Sequence, residues 1–212
     1  VYLGNKKSLL VKYTDVYKSY EMASSIPARC RTFRYPTYIA SPIPNLAANV
    51  QGAYGLLNEF AAYAWGMNNT VSLFSYLNQY SLTMDTWKSF INMGANERLA
   101  YAEFNYYILH YLYYAKTHYP KIYKGIVNNK NFRKAYQTIE KKFRSNISAY
   151  EADLKKILRK AKAAGVKAEI SDGYFFLDGR GIGMYTEDYE TLIKEVKKTK
   201  YQLRLNYQRL FL

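Results

Sequence analysis

Residues 45–67 read NLAANVQGAYGLLNEFAAYAWGM. Leu46, Val50, Ala53, Leu57, Phe60, Ala64 and Met67 recur at alternating steps of four and three, which sets them on one face of an α-helix. A second stripe, Ala48, Gly52, Gly55, Glu59, Ala62 and Gly66, runs beside the first at the same steps. Five of its six members have almost no side chain, so a second backbone or a ligand can approach along this groove. The sixth, Glu59, is its one carboxylate. Asn45, following Pro44, is placed to cap the helix. The segment predicts a central apolar helix over 45–67. Asn49, Gln51, Asn58 and Glu59 interrupt its apolar run, so no transmembrane segment is predicted.

Upstream, Pro27, Pro36, Pro42 and Pro44 deny backbone donors and mark Ile26–Asn45 as a loop. Within it Arg29, Arg31 and Arg34 alternate with Cys30, Phe33 and Tyr35. Three planar guanidiniums beside aromatics can clamp an anion, or pair with acidic residues of the fold itself. Before the loop, Leu9, Leu10, Tyr13, Val16, Tyr17 and Tyr20 suit a helix, and Val1–Leu3 a short strand.

Downstream, Gly66-Met67-Asn68-Asn69 has a helix-ending composition. Shorter helices are expected over Thr70–Tyr80 and Met84–Met93, with Gly94-Ala95-Asn96 as a turn. A tyrosine-crowded helix then runs to Pro120, which forbids its continuation. Asn131–Ala164 reads as one long amphipathic helix, with a kink at Ser145-Asn146. Its apolar stripe is Phe132, Tyr136, Ile139, Phe143, Ile147, Tyr150, Leu154, Ile157 and Ala161. Lys134, Lys141, Lys142, Arg144, Lys155, Lys156, Arg159, Lys160 and Lys162 fill the rest. Past Gly165 the period changes to that of short strands, Val166–Ile170, Tyr174–Asp178 and Ile182–Tyr185. Asp172-Gly173 and Gly179-Arg180-Gly181 separate them, and Arg180 is expected at an exposed tip. A last helix opens at Thr186, with Tyr189, Ile193, Val196, Leu203, Tyr207 and Leu210 facing inward.

The fold class follows: mainly α, a multi-helix bundle-like domain around the 45–67 helix. A small antiparallel β-meander, about 166–185, precedes a C-terminal helix. The 212 residues fit one domain, with a near-neutral helical part (1–120) and a basic part (121–212). From Ser41 to His110 the charge balance is −2, whereas Lys116–Ile170 holds fifteen Lys and Arg against four acids, a balance of +11. Such a field attracts nucleic acid, anionic cell-envelope polymers or acidic surfaces. Cys30 is the single cysteine, which excludes an intrachain disulfide and a cysteine-based zinc site. The chain begins at Val1, as a processed product or an expressed fragment would. Both a secreted or cell-envelope home and a cytosolic one fit, the former better.

Catalytic candidates are few. Glu59, Glu103 and His110 could act together if their helices pack side by side. Glu103 and His110 are seven residues apart, about 10 Å along a helix, whereas diiron-type bundles use Glu-x-x-His at one turn. No metal site and no cofactor are expected. Asn58-Glu59 within GLLNEFAAY resembles the second helix of thermolysin-type zinc peptidases, and the resemblance implies Glu59 as a zinc ligand. His-Glu-x-x-His is absent from this chain, whose histidines are His110 and His118. The two histidine ligands would have to come from a segment before Val1. No Gly-x-Ser-x-Gly, Walker or dinucleotide pattern occurs either.

The expected function is a non-catalytic binding protein with a basic, tyrosine-rich surface for an anionic polymer or surface, a protein partner also being compatible. Lys134, Lys141, Lys142, Lys155, Lys156, Arg159 and Lys160 would carry it, with Arg29, Arg31 and Arg34 as a second anion contact. The alternative is an enzyme, or a metallopeptidase-like fragment, with Glu59 at the base of a concave pocket along Gly52 and Gly55.

Overall fold

The computed structural model describes residues 1–4, 6–80 and 83–201. It is mainly α-helical, with a small antiparallel sheet before the last helix. The helices are α1 (Ala47–Val50), α2 (Gly52–Gln79), α3 (Met84–His118), α4 (Pro120–Asn128), α5 (Lys130–Ala163) and α6 (Thr186–Val196). A two-stranded ribbon of β1 (Tyr2–Gly4) and β2 (Lys7–Ser8) opens the chain. β3 (Ala168–Ser171), β4 (Tyr174–Leu177) and β5 (Arg180–Gly183) form the meander in that order. Expectations placed on Leu203, Tyr207 and Leu210 lie outside the described residues.

The 45–67 segment is helical but interrupted. At Gly52 the chain turns with φ +52°, a conformation glycine adopts without penalty. α1 therefore folds back, and the Ala47 carbonyl oxygen comes so near Gly55 that a Cβ there would stand 1.9 Å from it. This break leaves Val50 exposed, while Ala53, Leu57, Phe60, Ala64 and Met67 are buried as one face. Beyond Met67 the helix does not stop. Gly66 faces Glu97 rather than closing a turn, and α2 continues to Gln79.

Gly94-Ala95-Asn96 likewise lies inside α3. Gly94 sits under the Tyr150 ring of α5, where a Cβ would meet ring carbons at 2.1 Å. Every residue of α3 from Leu99 to Leu112 is buried. α2, α5 and α6 pack against this helix, and the irregular N-terminal arm covers the rest. Residues 9–18, where a helix is expected, have no regular structure; a 3-10 turn follows over Ser19–Ser25. The arm is fixed by side chains instead. Tyr111 Oη accepts from Tyr17 N (2.9 Å) and donates to Tyr17 O (2.7 Å), and Tyr17 Oη donates to Tyr111 O (2.8 Å).

α5 is continuous through Ser145-Asn146. It begins one residue earlier than expected, at Lys130, and Asn129 caps it, accepting from Asn131 N and Phe132 N at 3.1 Å each. Its apolar stripe is buried from Phe132 to Ile157, with Ala161 half-buried at the end. In the meander, Asp172-Gly173 and Asp178-Gly179 both turn with positive φ at each residue, the type I′ geometry that suits twisted strands. Arg180 consequently pairs with Leu177 as the first residue of β5 rather than standing at the tip. α6 turns Leu192 inward, with Tyr189, Ile193 and Val196 partly buried beside it.

Candidate functional site

The three carboxylate and imidazole candidates stand apart. Glu103 is fully buried and accepts from Thr32 Oγ1, Arg34 N and Arg34 Nη1, each at 2.7 Å. Arg34 Nη2 also donates to Asn96 Oδ1 (2.7 Å) and lies over the Tyr63 ring. Burial pushes the Glu103 carboxyl up, and the Arg34 guanidinium and backbone N–H work against that shift. Arg34 thus serves Glu103 inside the fold. Arg29 pairs with Glu195 at 2.9 Å, and Arg31 donates to Ile26 O at 2.9 Å and stacks near Tyr35. Arg29 and Arg31 remain exposed.

His110 occupies a separate buried network. Its Nε2 is 2.8 Å from Ser25 Oγ, and its Nδ1 is 2.8 Å from Tyr201 Oη and 3.2 Å from Tyr106 Oη. The first distance has the form of a nucleophile and its base, but the protons run the other way. Ser25 Oγ donates to Met22 O at 2.6 Å, so its one hydrogen is committed and Nε2–H must donate to Oγ. Nδ1 is then the acceptor for a tyrosine hydroxyl. Burial lowers the His110 pKa to about 4, which keeps the ring neutral at pH 7. Cys30 is buried as well, and burial pushes its thiol above the usual value.

Glu59 is half-buried, its pKa raised by burial and lowered in part by a hydrogen bond from Tyr38. The small-residue groove beside it is filled by the protein. The Tyr111 hydroxyl stands where a Gly52 side chain would go, the Ala47 backbone occupies the space over Gly55, and the Glu97 carboxylate that over Gly66. Glu97 is a group the sequence did not single out. Burial pushes it up to about 7, and Thr70 Oγ1 donates to it at 2.8 Å. Among the described residues no group of three His, Cys, Asp or Glu side chains could hold a metal ion.

The basic helix is different in kind, because its charges face outward. Lys134, Lys141, Lys155 and Lys162 are exposed at multiples of seven residues, with Ser148 on the intervening step and Arg159 one turn beyond Lys155. They form one stripe about 42 Å long with a pitch of about 10.5 Å. Among the described residues none of these five cations has a carboxylate partner. The acids of α5 are engaged elsewhere: Glu140 by Tyr101 and Arg144, Glu151 by Arg98, Asp153 by Lys156. The other basic side chains are partly committed. Lys142 lies toward the Trp65 ring, Lys156 over Phe74 as well as on Asp153, and Lys160 on Asn78. Tyr2 packs at a tilt against the same Trp65 ring, with about half of its own surface exposed. No helix among the described residues is long and apolar enough to cross a membrane. Comparison with protein-family models, with curated proteins and with solved structures finds no match for this chain.

Proposed function

We propose that the protein binds an extended anionic polymer or an anionic surface through the outward stripe of α5, without catalysing a reaction on it. The observation that carries this reading is the line of unpartnered cations at Lys134, Lys141, Lys155, Arg159 and Lys162 on one rigid helix. A solvated basic surface made only for solubility intersperses charges of both signs; here the helix's carboxylates are drawn off the stripe. Lys134, Lys141 and Lys155 stand at least about 10.5 Å apart along the axis, beyond the Debye length of about 8 Å at physiological salt, so each engages its own anionic group nearly independently, whereas Lys155, Arg159 and Lys162 follow each other within about 6 Å and act as one denser cluster. Arg29 and Arg31 supply exposed cations on another part of the molecule, with Arg34 held inside by Glu103.

The test is binding of labelled single-stranded nucleic acid and of a polyphosphate across a salt series. Four or five engaged cations predict a slope of log affinity on log salt of about −3 for a single strand. Lys155→Glu with Arg159→Glu should flatten that slope by at least about 1.4, with the helical circular dichroism signal unchanged. A double variant with an unaltered slope would remove α5 from the contact. Tighter binding of nucleic acid than of polyphosphate at matched charge would add aromatic stacking, for which the exposed ring of Tyr2, beside the Trp65 that Lys142 of α5 approaches, is a candidate.

A further inference from the structure

Beside the C-terminal turns of α5 lies a cavity of about 250 Å³. Its walls are apolar: Met84 and Trp87 from the start of α3, Ile157 and Ala161 from α5, and Leu177 from β4. Its two polar lining residues, Lys160 and Asn78, are both solvent-exposed, which puts them at the mouth. Lys160 Nζ donates to Asn78 O at 3.0 Å and to Asn78 Oδ1 at 3.3 Å, and it stands 6.0 Å from the centre of the Trp87 ring. Both acceptors are uncharged, so the ammonium keeps its full charge at the rim of a greasy hole. The volume exceeds the cavity of about 150 Å³ that holds a benzene and falls short of the roughly 300 Å³ of a drug-sized site. A single aliphatic chain fits that volume, and a folded cofactor does not.

The geometry points to a site for a free single-chain aliphatic carboxylate, its tail in the cavity and its head on Lys160. The chemistry is complementary at both ends. The tail leaves water for walls without hydrogen-bonding demands, while the carboxylate stays at the solvent boundary and meets a cation there. This extends the reading of α5 as an anion-binding face by naming a ligand for one end of it.

The experiment follows the fluorescence of Trp87 in full-length Trp65→Phe protein, titrated with decanoate, with decan-1-ol and with acetate. Decanoate should give a saturable change and acetate none. Lys160→Met should weaken decanoate about tenfold, the scale of one charge-assisted hydrogen bond, and leave decanol binding unchanged. Ala161→Phe, which fills the cavity, should abolish both signals while polymer binding by the stripe persists. No saturable change with decanoate, as a cavity closed by the protein's own side chains would give, overturns the proposal. So does a change that Ala161→Phe leaves intact. Lys155→Glu with Arg159→Glu separates the two readings: it should remove polymer binding and leave decanoate binding as it was.

Discussion

Among the described residues, Arg34 and Glu103 are the ion pair in which both side chains are buried. Both are buried, and every oxygen of the carboxylate is met by a donor. Desolvating two charges offsets much of their attraction, so the pair does little for net stability but cannot lose one member cheaply. Glu103→Ala should cost about 3–5 kcal/mol in chemical denaturation, because an uncompensated guanidinium remains in the core. Arg34→Met with Glu103→Leu should cost clearly less than the single change. A double variant as unstable as Glu103→Ala would mean that the loss comes from packing. None of this pairing is visible from spacing: Glu103 and Arg34 are 69 residues apart, and each is locally an ordinary charged residue. The sequence offered the arginines either an external anion or an internal acid. For Arg34 the internal acid is the partner, because the arm that carries it runs along α3.

At the level of elements, the features set by local chemistry were legible. The first hairpin of the meander was readable because Asp172-Gly173 dictates a tight turn on its own, whereas the second turn, read as Gly179-Arg180-Gly181, is made one residue earlier by Asp178-Gly179. The α5 face was readable because a stripe of large apolar residues at steps of three and four has few alternatives. Glycines in helices were not. Gly66 and Gly94 look like helix ends, yet each is a place where another side chain, Glu97 or Tyr150, needs the room a Cβ would fill. The Gly52–Gly55 groove takes the backbone rather than the ligand of its two readings, and that backbone is α1. Asn129 shows how one residue can hold an element: besides capping α5, its amide donates to Lys12 O at 2.8 Å and to Tyr54 Oη at 3.2 Å. Asn129→Ala should therefore lose the cap, about 1 kcal/mol, plus the arm contacts. Asn129→Asp restores the cap alone, so it should recover roughly the first part in the same unfolding assay.

Across the whole molecule, two buried groups oppose each other in the response to acid. His110 has its folded pKa lowered to about 4 by burial, below its usual 6.5, so the unfolded chain binds its proton first. That contribution to stability is complete above pH 6.5 and is lost as pH falls toward 4. Glu97 has its folded pKa raised to about 7, above its usual 4.5, so the native state binds its proton first. Its contribution is complete below pH 4.5 and is lost as pH rises toward 7. Between pH 4.5 and 6.5 the two slopes, each up to about 1.4 kcal/mol per pH unit, run in opposite directions. The native protein should show a nearly flat melting temperature over that window. Glu97→Gln should leave the melting temperature rising with pH there, and His110→Gln should leave it falling. Parallel curves for both variants would show that neither group titrates on unfolding.

The reciprocal clasp of Tyr17 on Tyr111 ties the arm to a partner made 94 residues later. On a ribosome adding about 5–20 residues per second, the arm has to wait roughly 5–19 s before that partner is even synthesised. During this interval Tyr17 has no α3 surface to cover. The vulnerable moment in the life of the protein thus falls between the synthesis of the arm and that of α3, and its length scales with how fast the α2–α3 hairpin is made. Arrested nascent chains ending near residue 100 should leave the bonds around Tyr13–Tyr20 open to a pulse of chymotrypsin. Chains long enough to expose the whole of α3 outside the ribosome should protect them.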